Sequence, residues 1–358
     1  MSSPGNSPVS NNAQRVSDTG ERALIERIRR RVPPAPPGLL VGIGDDAAVA
    51  APDRGALQVL TTDALVEGIH FDRRFSTPAD IGYKALAVNV SDVAAMGGAP
   101  RFALLSLKLP LQTTVGEVDG LLDGLLELAA ETRVSLAGGN ITRSPGPLVV
   151  DVTVVGSVKP RKILTRGGGR AGDALYVTGH IGAAAAGLGW LRQEAGEPDE
   201  ARRAHTIVPR PHDPGLAECV ARHCRPQPRA RIGALLGRTR AASACMDLSD
   251  GLADAVRQLS CVSHTGAAID AASLPLHPAA RAWFTATGDD AVAAAVAGGD
   301  DYELLFAVPR RARGRLRSVL REARGVPITR IGELTDDRAI GLVSGGRLEP
   351  LPPGFVHF

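Results

Sequence analysis

Aromatic residues make up only 3% of this 358-residue chain. Flat stacking platforms of the kind that grip single-stranded nucleic acid are therefore scarce, which argues against that class of partner. An excess of one charge is also lacking. Lysine plus arginine number 41 against 38 aspartate plus glutamate, and a formal charge of +3 is too small to imply a polyanionic partner. The cysteines, Cys219, Cys224, Cys245 and Cys261, form neither CxxC pairs nor zinc-finger spacings with histidine, so free thiols in a reducing compartment are expected. No apolar run approaches a membrane span, and the N terminus lacks the charged-then-apolar pattern of a signal peptide. These absences point to a cytoplasmic protein with neither a membrane nor a nucleic-acid partner.

What the chain does have is length and aliphatic content. At 358 residues with 44% hydrophobic content, two ordinary domains are expected, their cores built mostly from Ala, Val, Leu and Ile. Residues 1–20, rich in Ser, Asn, Gly and Pro, read as a disordered tail. Leu24, Ile25 and Ile28 mark an amphipathic helix that the proline run 33–37 ends. Thr77-Pro78 has the form of a helix start, with Thr as cap and Pro at the first position. Strand and helix patterns then alternate to the C terminus, which predicts an α/β (α+β) pair of domains. A boundary near Lys159-Pro160-Arg161 divides them into residues 21–160 and 161–358.

The chemistry concentrates in short acidic clusters. Gly42-Ile43-Gly44-Asp45-Asp46 is the first, followed by Thr61-Thr62-Asp63, Ser91-Asp92, Asp247-Leu248-Ser249-Asp250-Gly251 and Gly298-Gly299-Asp300-Asp301. Each acid falls at an expected strand end, on a helix face or at the edge of a glycine turn, where separate elements bring side chains together. Magnesium takes oxygen ligands in octahedral geometry and keeps several waters, so its sites pair a few carboxylates with substrate phosphates. A single Gly-Asp-Asp is ordinarily a solvated turn or a helix cap. Five such clusters in one chain make convergence on divalent metal the better reading. Gly167-Gly168-Gly169 after Arg166 has the composition of a phosphate loop but lacks the Gly-Lys-Ser/Thr ending, and an ordinary turn fits it equally well. His70 has no adjacent serine or cysteine with which to form a nucleophile–base pair, so it receives no proton-transfer role.

In this order the motifs resemble the thiamine-monophosphate kinase family of the aminoimidazole-ribonucleotide-synthetase-like superfamily. The resemblance rests on the clusters above together with Gly68-Ile69-His70-Phe71, the run from Lys84 to Gly97, Leu164-Thr165-Arg166, and Asp300-Asp301-Tyr302-Glu303-Leu304. It implies transfer of the γ-phosphoryl group of ATP to thiamine monophosphate with the help of several magnesium ions. The metal ligands it implies are Asp46, Thr61, Thr62, Asp63, Asp92, Asp247 and Asp250, with Asn140 at a position where many members carry Asp. Gly139, Arg166 and Ser249 match ATP contacts. His70 and Asp300 match substrate contacts, Asp300 toward the cationic thiamine, and Phe355 stands where members often place an aromatic over the substrate. The implied assembly is a homodimer whose N-terminal sheets pair across the interface.

Rival readings remain at this level. Selenophosphate synthetase needs a reactive N-terminal cysteine or selenocysteine, yet no cysteine precedes Cys219. Aminoimidazole ribonucleotide synthetase fits the Gly-Ile-His-Phe and Asp-Tyr-Glu-Leu segments less well. A non-catalytic nucleotide- or metal-binding protein is the alternative from another class, kept open by Asn140.

Overall fold

The computed structural model describes residues 13–196 and 208–354. Its helices are α1 (Val16–Thr19), α2 (Glu21–Arg31), α3 (Pro78–Ala95), α4 (Val115–Thr132), α5 (Ala183–Ala195), α6 (Pro214–Cys224), α7 (Ala230–Thr239), α8 (Leu252–Ser263), α9 (Pro278–Thr287), α10 (Ala291–Ala297) and α11 (Arg313–Glu322). The strands of the N-terminal half are β1 (Leu39–Val41), β2 (Val49–Ala50), β3 (Leu57–Val66), β4 (Ala99–Pro110), β5 (Ser135–Ser144) and β6 (Val149–Val158). Those of the C-terminal half are β7 (Ala174–Thr178), β8 (Ala244–Asp247), β9 (Gly266–Asp270), β10 (Leu304–Val308), β11 (Ile328–Thr335), β12 (Ile340–Ser344) and β13 (Arg347–Pro350).

Two separate sheets divide the chain as the alternation of patterns suggests. The N-terminal sheet has the order β3-β6-β4-β5, and the C-terminal sheet the order β13-β12-β9-β11-β7-β10-β8. The expected tail is shorter than 1–20. Val16 donates its backbone N–H to Thr113 and Val115 donates to Gln14, so the segment just before α2 is anchored to the start of α4. Residues 1–12 lie outside the described residues.

Helix α3 is the axis of the molecule. Thr77 and Asp80 form a reciprocal capping box at its start, and apart from Pro78, Ala79 and Asp92 every residue of the helix is buried. Such all-round burial requires backbones to come close. A Cβ on Gly82 would lie 1.8 Å from the Leu121 carbonyl of α4, and one on Gly124 of α4 would lie 1.7 Å from the Ala79 carbonyl. Only glycine permits this reciprocal contact. Asp80 also anchors the C-terminal half, accepting from Arg210 at 3.0 Å and Arg225 at 2.6 Å, while Arg225 reaches Glu127 of α4 at 2.8 Å.

One face of the N-terminal sheet packs on α3, giving β6 a strict alternation of buried and half-buried positions. The opposite face is open. Leu60 and Leu104 are exposed on it, among Thr62, Thr153, Asp151 and Lys108.

Candidate active site

Two acidic turns of the C-terminal half are zipped together by backbone hydrogen bonds. Asp300 N donates to Ser249 O at 2.7 Å, Tyr302 N to Leu248 O at 3.0 Å, and Leu248 N to Glu303 O at 2.8 Å. This pairing prolongs the β8–β10 ladder past Asp247. It brings Asp247, Ser249 and Asp250 beside Asp300, and Asp300 and Tyr302 adopt positive φ angles of 68° and 48° to make the turn.

The Asp300 to Glu303 segment sends four side chains to four destinations. Asp300 pairs with Lys84 of α3 at 2.9 Å. Asp301 accepts from Gly182 N and Ala184 N, capping the start of α5. Tyr302 enters the N-terminal core. Glu303 is buried against Arg229 and accepts from Thr178 Oγ1 at 2.6 Å. The motif is thus a structural junction as well as a part of the site.

A cavity of about 1430 Å³ lies between the two sheets' helices, and Asp63, Asp92, Asp247 and Asp250 line it together with Ser249, His70 and Asp300. Asp92 accepts from Thr61 Oγ1 at 2.5 Å, and Asp247 accepts from Ser91 Oγ at 2.7 Å. Burial pushes the Asp63 carboxyl up to about 6, with the nearby Asp92 carboxylate compounding it. Burial pushes Asp247 up to about 7, again reinforced by Asp92, while Ser91 and Arg166 oppose the shift. Carboxylates that raise one another in this way hold their charge poorly until a cation arrives.

Among the described residues, no three His, Cys, Asp or Glu side chains stand together closely enough to hold a metal ion by themselves. The donor set nevertheless suits magnesium. It offers only oxygen, from carboxylates that repel one another, and leaves most positions to water and phosphate, the pattern in which magnesium binds.

The other expected ligands lie elsewhere. β3 does not stop at Asp63 but runs to Val66, because its pairing with β6 is unbroken from Leu57↔Val158 to Val66↔Val149. Alternation along the strand then separates neighbours: Thr61 reaches Asp92, whereas Thr62 bonds Thr153 and Asp151 on the open face. Asn140 is exposed on β5 opposite Ser106, and Gly139 beside it is required by the sheet, since a Cβ there would lie 1.8 Å from the Leu105 carbonyl. Asp46 is exposed in the β1–β2 loop, its N–H donating to Asp45 Oδ1. Arg166 is exposed and bonds Gln258, yet lies close enough to lower Asp247. None of Asp46, Thr62, Gly139, Asn140 and Arg166 lines the cavity. Phe355 lies outside the described residues.

His70 accepts from Val66 N through Nδ1 at 3.1 Å, and its carbonyl accepts from Lys84 at 3.2 Å. Sequence reasoning assigned no role to Lys84, although it stands in the Lys84–Gly97 motif. It also missed His223 of α6, which lines the cavity and lies in no recognisable motif.

Comparison with known proteins matches both halves. The model of the AIR synthase related protein N-terminal domain matches residues 44–158, and that of the AIR synthase related protein C-terminal domain matches residues 170–344. The chain is 36% identical over 328 residues to the thiamine-monophosphate kinase of Bacillus subtilis (strain 168), covering 89% of this chain and 93% of that one. It is similar to the crystal structure of thiamine-monophosphate kinase from Stenotrophomonas maltophilia K279a, with a TM-score of 0.78 and 35% identity over 91% of this chain and 96% of that one. A structure described as AaThiL complexed with AMPPCP and TMP matches with a TM-score of 0.72 and 30% identity over 96% and 99% of the two chains. With both domain models and near full-length relatives in agreement, the chain belongs to the thiamine-monophosphate kinase family of AIR synthase related proteins.

Proposed function

We propose that this chain transfers the γ-phosphoryl group of ATP to thiamine monophosphate, giving thiamine diphosphate and ADP. The observation that carries this reading is the convergence of Asp63 and Asp92 from one half with Asp247 and Asp250 from the other on a single cavity. A relative of similar fold has been solved with AMPPCP, an ATP analogue, and TMP.

The acceptor atom is a phosphate oxygen, already anionic near neutral pH, so no general base is needed. The obstacle is repulsion between two anionic phosphates that must meet in line. Asp63, Asp92, Asp247 and Asp250 would hold magnesium, with Thr61 and Ser91 orienting the carboxylates. Bound there, magnesium supplies neutralisation of phosphate charge. Ser249 and Arg166 flank the place for the nucleotide phosphates, and His70 and Asp300 the place for the acceptor.

Asp46, Thr62, Gly139 and Asn140 lie outside the cavity, three of them on or beside the open sheet face. We assign that face to a homodimer contact, because Leu60 and Leu104 are exposed there on an otherwise well-packed sheet. Dimerisation would bring these residues and a partner surface together. The missing charge of Asn140 leaves the four cavity carboxylates intact, which favours a catalyst over a non-catalytic binding protein. A substrate set of ATP and thiamine monophosphate, with the free cysteines among the described residues, suits the cytoplasm.

Incubating the purified protein with ATP, magnesium and thiamine monophosphate tests the reading by chromatographic detection of thiamine diphosphate. Formation of product that stops when EDTA is added supports it. Nucleotide binding without product points to the non-catalytic alternative.

A further inference from the structure

Arg166 is tethered to α8 by its backbone and by its side chain. Its carbonyl accepts from Ser263 Oγ at 3.3 Å, Gly169 N donates to the same hydroxyl at 3.2 Å, and the preceding Thr165 carbonyl accepts from Cys245 N of β8 at 2.9 Å. A Cβ on Gly167 would lie 2.9 Å from Val262 Cγ1, so the glycine turn rests directly against the C-terminal end of the helix. The Arg166 guanidinium meets Gln258, which lies about 7.5 Å along the helix axis from Ser263 toward the N-terminal end. The side chain therefore runs back along α8 toward the turn that carries Asp247, Ser249 and Asp250. That course agrees with the influence of Arg166 on Asp247, whose rise it opposes.

Gln258 is held in its turn. Its Nε2 donates to Asp254 Oδ2, one turn earlier on the same face of α8. An ionised carboxylate only accepts, so Asp254 fixes the amide with its NH2 toward itself and its oxygen toward Arg166. An amide at this place differs from a carboxylate in one respect that matters. A carboxylate would pair with the guanidinium and neutralise it, whereas the amide oxygen orients the guanidinium and leaves its charge for an anion. Arg166 itself is exposed, so that charge is within reach of a ligand.

We propose that Gln258 is a positioning residue that aims Arg166 at the nucleotide phosphates without neutralising it, with Asp254 setting the direction of the amide. The inference rests on the reading above, in which the nucleotide phosphates lie between Ser249 and Arg166.

The test measures the Kd of AMPPCP in the presence of magnesium, by calorimetry, for the whole chain and its variants. Arg166→Met should weaken binding by about 10- to 100-fold, the loss of a charged hydrogen-bond donor. Gln258→Met keeps the length of the side chain but cannot accept, and should weaken binding by about three- to tenfold. Gln258→Glu should weaken it at least as much, because it still accepts from Arg166 but neutralises it. In the Arg166→Met background, Gln258→Met should have no further effect, since no guanidinium remains to be aimed. An unchanged Kd in any of the three single variants overturns the proposal, as does a loss from Gln258→Met that persists in full in the Arg166→Met background. Should Gln258→Met fail to fold, Gln258→Glu decides in its place: an unchanged Kd overturns the proposal, and so does an equal loss in the Arg166→Met background. A wild type that does not bind AMPPCP overturns the nucleotide reading and this inference together. Binding with the expected dependence on Gln258, but without formation of thiamine diphosphate from ATP, overturns the kinase reading only.

Discussion

Ser91 Oγ donates to Asp247 Oδ2 across 2.7 Å, tying α3 to the last residue of β8. Both groups are buried. The hydrogen bond fixes a carboxylate of the C-terminal half against the helix that carries Asp92. Ser91→Ala should leave the fold intact and lower kcat by about 10- to 100-fold, the cost of a hydrogen bond to a charged group. Turnover measured at saturating ATP and magnesium checks this, and an unchanged kcat would remove the orientation of Asp247 from the mechanism.

Lys84 and Asp300 form a second link between the halves. Lys84→Met strands the Asp300 carboxylate and should destabilise the protein by about 3–5 kcal/mol. The double variant Lys84→Met/Asp300→Asn should recover most of that loss. Urea denaturation of the four proteins gives the coupling directly, and additive losses would show that the two groups do not act as a pair.

Asp301 gives stability a dependence on pH. Burial raises its carboxyl from 3.8 to about 7, so between these values the folded chain keeps a proton that the unfolded chain has released. Its contribution therefore falls as pH rises through that window, by at most about 1.4 kcal/mol per pH unit. Below the window the group is protonated in both states, and above it the loss is complete. Asp301→Asn has no such proton to lose and should gain stability relative to wild type as pH rises from about 4 to 7. Unfolding free energies across that range check this, and a constant difference would exclude Asp301 as the source.

The glycine contact between α3 and α4 leaves no room for a methyl group. Gly82→Ala and Gly124→Ala should each destabilise by about 1–3 kcal/mol, although alanine is the better helix former. Chemical denaturation checks the sign, and a stabilised variant would mean that the helices can separate freely.

Much of this architecture was legible in the residues. Thr77-Pro78 announces α3 because a capping hydroxyl and a residue without an N–H suit that one place in a helix. Asp247 falls at the end of β8 because a run of small and apolar residues, Ala241 to Met246, stops there. What local pattern could not supply was direction across space. Thr61, Thr62 and Asp63 read as one ligand group, yet a strand's period of two sends Thr62 to the other face. The extension of β3 to Val66 depends on its partner β6, far along the chain. The short α10, seven residues of alanine and valine, offers no polar face to mark it as a helix. His223 gave no signal, because its surroundings come from α3 and from the turn at Asp300, and neither is near it in sequence.

The all-round burial of α3 bears on how this enzyme could be redesigned. Lys84, Ser91 and Asp92 sit on a helix whose neighbours touch its backbone, so a substitution there propagates to several elements at once. Ile69, exposed on the loop before His70, and the cavity side of α5, at Leu188 and Arg192, face the same space without that constraint. A library seeking new acceptors would tolerate variation in those two segments, and α3 would remain the fixed frame against which each variant is tried.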